Sequence, residues 1–398
     1  MNANPARYLY PIALAHFTIE LCNNFLPILY PVFITTMGLT YSQVGVAALI
    51  AGSGASLAQP LFGYVSDRFG SRRLVALSMI WTGVLMSLVG LVNDYVTLLV
   101  VIGLGAFGSA AFHPAGASTA GSIPGAKRGA SLSVFAVGGS LGVALSPLLI
   151  TVAVGWFGLR GTLVVLPIGL VAGAFVHRQL RWKEPDVVAP AGTRVTQPAS
   201  QSPSGSLLSL VLIVLMVMTQ SWYHFSLVTY LPEWLQSQGW SAMASGQMFT
   251  LLVVSVAVGS MFSGALSDRV GRWRVLLLTM GFLAPALWLF LSMTGPIQIV
   301  ILGGIGVMLG GCFPVAIAAA QEAWPSSIGV ASALVTGLGW VPGGVGASFT
   351  GFMADRTSLT SALHLLLIAP LVGLVCALIY ANQQWSAGRR PISPRLPE

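Results

Sequence analysis

Charge is what this chain has least of. Only 7% of its 398 residues are Asp, Glu, Lys or Arg, against roughly 25% in soluble domains, so most of its surface cannot face water. Cysteine is scarce as well. Cys22, Cys312 and Cys376 are odd in number and widely spaced inside apolar runs, which suggests neither a disulfide framework nor a zinc site. His-Glu-x-x-His and phosphate-binding glycine loops are both missing, which argues against a membrane enzyme and implies no cofactor. What fills the space is apolar: 55% hydrophobic residues and a mean hydropathy of +0.84.

A helix needs roughly 20 apolar residues to cross a bilayer. Runs of that kind are expected at 8–35, 43–66, 73–92, 95–121, 129–155 and 160–178, then at 207–235, 243–266, 274–293, 296–321, 328–353 and 360–382. The first run contains His16 and Glu20 and is too long for a signal-peptide core, so it counts as a helix. Between the sixth and seventh runs the chain is rich in Pro, Ser, Gln and Ala, as a flexible linker is. The fold class expected is an all-α membrane protein of twelve transmembrane helices in two six-helix bundles. The first bundle covers 1–180, the cytoplasmic linker 181–206, the second bundle 207–385 and a cytoplasmic tail 386–398.

The net charge of +8 is a topological signal and not a nucleic-acid one, because the basic residues fall between apolar runs. With the N-terminus in the cytoplasm, every Lys and Arg except Arg160 and Arg356 lies on the cytoplasmic side. Both termini of a multi-pass inner-membrane protein are therefore expected inside.

The two halves share a motif. After the second run comes Gly63, then Asp67, Arg68, Gly70 and Arg72; after the eighth come Gly264, Asp268, Arg269 and Gly271. Glycines at these places permit a tight turn and close helix approach, and the aspartates suit a helix N-terminus or a cation. This doubled G-x-x-x-D-R-x-G resembles the loop motif of the major facilitator superfamily, and the resemblance runs along essentially the whole chain. It implies conformational gating by these loops. Glu322, at the end of the tenth run, is expected to gate or to pair with loop arginines.

A narrower resemblance is carried by Ala320-Gln321-Glu322, Pro325, Gly329 and Ser332, then Gly343-Gly344 and Gly346, then Ala354-Asp355-Arg356. Phe112-His113-Pro114, and His16 followed four residues later by Glu20, add to it. Together they resemble the fosmidomycin resistance protein family. Here Ala115 follows Phe-His-Pro where better-known members have an acid, and the first-helix acid is Glu20 where aspartate is usual. The resemblance implies proton-driven export of a small organic compound by antiport. The rival readings are a proton symporter importing a sugar or organic acid, and a transporter-like receptor without flux. The partners expected are a small molecule, protons and the lipid bilayer, with no nucleic acid and no metal. A monomer is the default for the fold.

Ionisable groups inside a membrane cost roughly 2.5–3.5 kcal/mol at mid-helix, so each one is informative. His16 and Glu20 share a helix face. Burial penalises the carboxylate while a cationic His16 favours it, which makes a coupled pair. Glu20 is expected to load and release the proton, with His16 and His113 tuning it. His16 and His113 each lie about eight residues from the cytoplasmic end of their helix, so they are expected at one depth. Substrate contacts are expected from Asn23, Asn24, Phe112 and His113 in one half and from Gln220, Tyr223 and His224 in the other. That pattern offers apolar walls with a few polar anchors. The glycine-rich stretches Gly138-Gly139-x-x-Gly142 and Gly337 to Gly346 are expected to allow close, slidable helix contacts.

Overall fold

A computed structural model describes residues 6–123, 128–180 and 206–388. The expected linker (Ser206 aside), Lys127, the tail from 389 onward and the side chains of Asp67 and Arg128 lie outside the described residues. Every regular element among the described residues is helical.

Among the described residues, ten helical stretches are long and apolar enough to cross a membrane. They are Ala6–Met37, Ser71–Leu91, Tyr95–Gly121, Ser131–Gln179, Leu207–Ser237, Ala242–Val270, Arg272–Ser292, Ile297–Ala323, Val330–Arg356 and Leu359–Ser386. Ser131–Gln179 spans two rods, the helices Arg128–Phe157 and Val165–Gln179, parted by the 3₁₀ turn Gly158–Val164. Residues 41–69 form one more, in which Tyr41–Leu49 and Ala55–Phe69 are separated by a π turn at Ile50–Gly54. Twelve rods result, close to the apolar runs read from the sequence.

The interruptions have local causes. The first rod breaks between Ala6–Asn23 and Leu26–Met37. Pro27 there has no N–H for the carbonyl of Asn23 one turn back. Gly38 closes the second piece in the left-handed region, φ +66°. Thr40 then opens the next helix with a reciprocal capping box to Gln43, and Asp94 caps the fourth rod through the Thr97 amide at 2.9 Å. A second π turn, Leu334–Leu338, interrupts the eleventh rod.

The chain falls into two compact units. One comprises Met1–Ser202, Phe225–Val254 and Ala347–Ala362; the other comprises Pro203–His224, Ser255–Gly346 and Leu363–Glu398. The first has a core in which Ile12, Ala15, Ile19, Met79, Phe112, Ala115 and Phe135 meet. The second packs Ile213, Met216, Leu276, Met280, Cys312, Val315 and Tyr380. Large apolar side chains also stand exposed along the rods, among them Trp156, Val171, Met261, Val300 and Val375. In water these would be sticky patches; hydrocarbon is the solvent they suit.

Candidate functional site

Three ionisable side chains from two rods of the first unit converge. His113 Nε2 lies 2.9 Å from Glu20 Oε1, and His16 Nε2 lies 3.4 Å from the same oxygen. The other carboxylate oxygen, Oε2, accepts from Asn24 Nδ2 at 2.5 Å, and that amide also reaches the Glu20 carbonyl at 3.1 Å. Asn24 lies one helical turn after Glu20, and its backbone amide also bonds the Glu20 carbonyl at 3.1 Å. The two histidine rings stand edge-on, 5.6 Å apart between centroids.

The outer nitrogens fix the tautomers. His16 Nδ1 sits 2.8 Å from the Phe135 carbonyl, and His113 Nδ1 sits 2.8 Å from the Ser109 carbonyl. A carbonyl oxygen only accepts, so each Nδ1 carries hydrogen. Both Nε2 atoms therefore face Glu20. Each must be protonated to donate to a carboxylate, or bare to accept from a protonated one. The ligand-type atoms of the three groups lie within 4.8 Å of one another, and the 2.9 Å contact is the length of a direct charge-assisted hydrogen bond.

Packing holds this cluster in place. The His16 ring stacks on Phe135 at 4.0 Å, and Phe112, fully buried, lies 5.6 Å from His16 and 6.0 Å from Phe135. The fifth rod can approach because its glycines lack side chains. A Cβ on Gly139 would fall on the His16 ring, and one on Gly142 would meet Phe17 and, at 2.9 Å, the Glu20 Cβ. Ser146 Oγ then donates to the Leu21 carbonyl at 2.8 Å. Gly139→Val is therefore expected to displace His16. It should destabilise the protein by about 1–3 kcal/mol, the usual range for overpacking, read as a lower thermal midpoint in detergent. Gly155→Ala, whose Cβ meets open space, serves as the control.

The remaining sequence candidates are distributed as follows. Asn23 ends the first helix and is half-buried beside Asn24. In the second unit Gln220 Nε2 donates to the Leu309 carbonyl at 3.1 Å, and its buried Oε1 has no partner. Tyr223 is fully buried, with its hydroxyl 3.5 Å from the Leu283 carbonyl. His224 meets Trp340 edge-on at 5.8 Å, and Trp340 meets Phe313 at 5.0 Å.

The doubled motif folds alike in both copies. Gly70 and Gly271 each precede a helix in the left-handed region, φ +91° and +100°, where a Cβ would be strained. In the first unit Arg68 reaches the Tyr64 hydroxyl at 3.1 Å, Gly63 faces Pro114, and Arg72 reaches the Leu180 carbonyl at 3.3 Å. In the second unit Arg272 joins Asp268 at 2.5 Å and Glu322 at 3.1 Å, bonds Ser267 Oγ, and lies 3.4 Å from the Gly264 carbonyl. Arg269 is on the same helix end. Ser267, Asp268, Gly271, Arg272 and Glu322, with Trp273, Tyr380 and Gln384, line a pocket of about 300 Å³.

One group was passed over as a site by the sequence reasoning. Asp355, noted there only within a family-like run, reaches back to the start of the second rod, within the first unit. Its Oδ1 accepts from the Tyr41 amide at 2.7 Å, and its Oδ2 accepts from the Ser42 amide at 2.9 Å and from the Ser42 hydroxyl. A carboxylate on the first free N–H groups of a helix is favoured by unmet donors and by the helix dipole. Tyr230 OH adds a clip, 2.9 Å from the Tyr41 carbonyl and 3.0 Å from that of Ala347. Only the acidic residue at the end of the eleventh run pointed to it.

Comparison with known proteins shows the family. The sequence model of the Major Facilitator Superfamily matches residues 12–347. The fosmidomycin resistance protein of Escherichia coli strain K12 is 25% identical over 379 residues, covering 94% of this chain and 92% of that one. The MFS-type transporter YfnC of Bacillus subtilis strain 168 is 26% identical over 400 residues, covering 96% and 95%. In fold, the chain is similar to a bacterial homologue of the human lysosomal transporter Spinster, crystallised in an inward-facing, unoccupied conformation. The TM-score is 0.73 at 15% identity, covering 99% of this chain and 100% of that one. This multi-pass membrane protein belongs to the Major Facilitator Superfamily, a family of secondary transporters.

Proposed function

We propose that the chain is a proton-coupled antiporter that exports a small organic compound across the inner membrane by alternating access. Two six-helix halves, 1–180 and 207–385, would rock about the substrate with both termini in the cytoplasm. The observation that carries this reading is the Glu20 carboxylate held between His16 and His113 inside a membrane rod. A buried set of three titratable groups is costly to keep in a bilayer, and in a transporter its natural use is a proton relay. Similarity to a fosmidomycin resistance protein supports efflux. Asn23, Asn24, Phe112 and His113 would meet the substrate on one side, and Gln220, Tyr223 and His224 on the other. Gln220 fits this use, since its buried Oε1 lacks an internal donor. The paired loop motifs and Glu322 would gate the cytoplasmic side. The Arg272 bridge to Asp268 and Glu322 is a set of contacts that can break at small cost, because both acids are more than half exposed.

Direction is tested with the purified protein in vesicles carrying an imposed proton gradient. A panel of labelled small polar and amphiphilic antibiotics, fosmidomycin among them, is followed. Antiport is expected to accumulate a compound in vesicles with an acidic lumen, protons leaving as it enters. Accumulation driven instead by acid outside would make the protein a symporter. Binding without flux under either gradient would make it a receptor.

A further inference from the structure

We infer that the exchangeable proton of the cluster resides on His113, and that Glu20 stays ionised as the group that positions it. The inference rests on proton coupling through this cluster, and it assigns the carrier within it.

The argument is a count of donors around one carboxylate. His16 Nε2 and Asn24 Nδ2 approach Glu20 from two sides, at 3.4 Å from Oε1 and 2.5 Å from Oε2, and His113 Nε2 approaches Oε1 at 2.9 Å. Asn24 Nδ2 can only donate. Each Nδ1 is already committed as a donor to a carbonyl. Oε2 is thus occupied by an amide donor, and Oε1 faces two imidazole nitrogens whose outer hydrogens are already placed, a setting that suits the carboxylate as acceptor. The proton shared by Glu20 and His113 therefore lies on nitrogen.

The two histidines are not equivalent. His16 is 13% exposed, stacked on Phe135 and pressed against Gly139, whereas His113 is 34% exposed. His113 is the more accessible of the two. The other titratable groups on elements packed around it do not offer a rival carrier. Residues 129–157 of the fifth rod contain no ionisable side chain. The third rod has Arg72 and Arg73 at its start, and the helix Ala55–Phe69 has Tyr64, Asp67 and Arg68 toward its end. The first helix adds Arg7, Tyr8, Tyr10 and Cys22.

Release is then a simple step with a mechanical consequence. The His113 Nε2–H bond breaks, the proton passes to water, and the electron pair remains on Nε2. That lone pair now faces a carboxylate oxygen at 2.9 Å, acceptor against acceptor. With Nδ1–H kept on the Ser109 carbonyl, the contact turns repulsive and this polar tie between the first and fourth rods weakens. Reprotonation restores it. Loss of one proton thus biases the arrangement of two helices, which is what coupling requires.

Two measurements on the full-length protein test this. Infrared difference spectroscopy in nanodiscs across a pH titration is expected to show an imidazole–imidazolium change that His113→Gln removes, with no protonated-carboxyl band assignable by Glu20→Gln. In vesicles, His113→Gln is expected to lower gradient-driven accumulation at least tenfold more than it lowers exchange of labelled compound across equal proton concentrations. A carboxyl band that Glu20→Gln abolishes would overturn the inference and return the proton to Glu20. So would gradient-driven accumulation left intact in a folded His113→Gln protein. If wild type transports without moving protons, the coupling reading itself fails, and the spectra still report which group titrates.

Discussion

Glu20→Gln is expected to abolish gradient-driven transport. The carboxylate faces both histidine Nε2 atoms and accepts from the Asn24 amide. A glutamine can keep an oxygen toward the histidines only by turning its NH₂ toward Asn24 Nδ2, donor against donor at 2.5 Å. Turned the other way, it sets donors against both Nε2 atoms. Either arrangement leaves a buried histidine charge uncompensated. Removing one partner of such a pair costs about 3–5 kcal/mol, which corresponds to a change on the order of 10² to 10³ in the population of the coupled state. The histidines should then give up their protons, and the cycle should lose its driving force. Compound binding and passive exchange are expected to remain, because the rods are still packed through Phe112, Phe135 and the glycine face of the fifth rod. Loss of accumulation together with loss of binding would instead mean that Glu20 is structural.

Asp355→Ala is expected to release the start of the second rod. The substitution removes the acceptor for the Tyr41 and Ser42 amides and for the Ser42 hydroxyl, and it removes a negative charge from a helix N-terminus. Losing a cap costs about 0.5–2 kcal/mol, and losing the dipole interaction about 0.3–1 kcal/mol at an exposed site. A combined loss of one to two kcal/mol shifts a two-state equilibrium roughly 5–30-fold. In the alternating-access reading these residues lie on the external side, so the population opened outward should rise by that factor. Reactivity of a cysteine placed at Ser42 or nearby toward a membrane-impermeant thiol reagent, measured with and without Asp355→Ala, checks it. Tyr230→Phe removes the clip to the Tyr41 and Ala347 carbonyls and should shift the equilibrium in the same direction by a smaller amount. Unchanged reactivity in both variants would show that this contact does not hold the protein closed.

Several features were readable from the sequence because they are local. His16 and Glu20 are four apart on a helix, so their meeting follows from helix geometry. Counting residues from helix ends put His113 at the depth of His16, and the rings indeed lie 5.6 Å apart. Gly70 and Gly271 recur at the same place in the repeated motif because both occupy a left-handed turn. Apolar length located the rods, though it could not foresee the π turns Ile50–Gly54 and Leu334–Leu338, which depend on how neighbouring helices pack. Contacts between distant segments left no local pattern. Asp355 bonds residues more than 300 positions away, and nothing in a single run of sequence reveals that. The partner of Gln220 Nε2, the Leu309 carbonyl, is hidden in the same way. The sequence also put the proton on Glu20, since a lone carboxylate in a membrane invites that reading. Asn24, one residue beyond the helix end, is what changes the donor count.

The most direct test of proton-coupled export is proton release from vesicles reconstituted with the wild-type protein. A pH-sensitive dye reports release as candidate compounds are added one at a time, without any imposed gradient. Compound-dependent proton movement that disappears in Glu20→Gln is the result expected, with compound binding retained in the variant. Compound uptake by the wild type with no accompanying proton movement, or normal proton movement in the variant, would contradict the account.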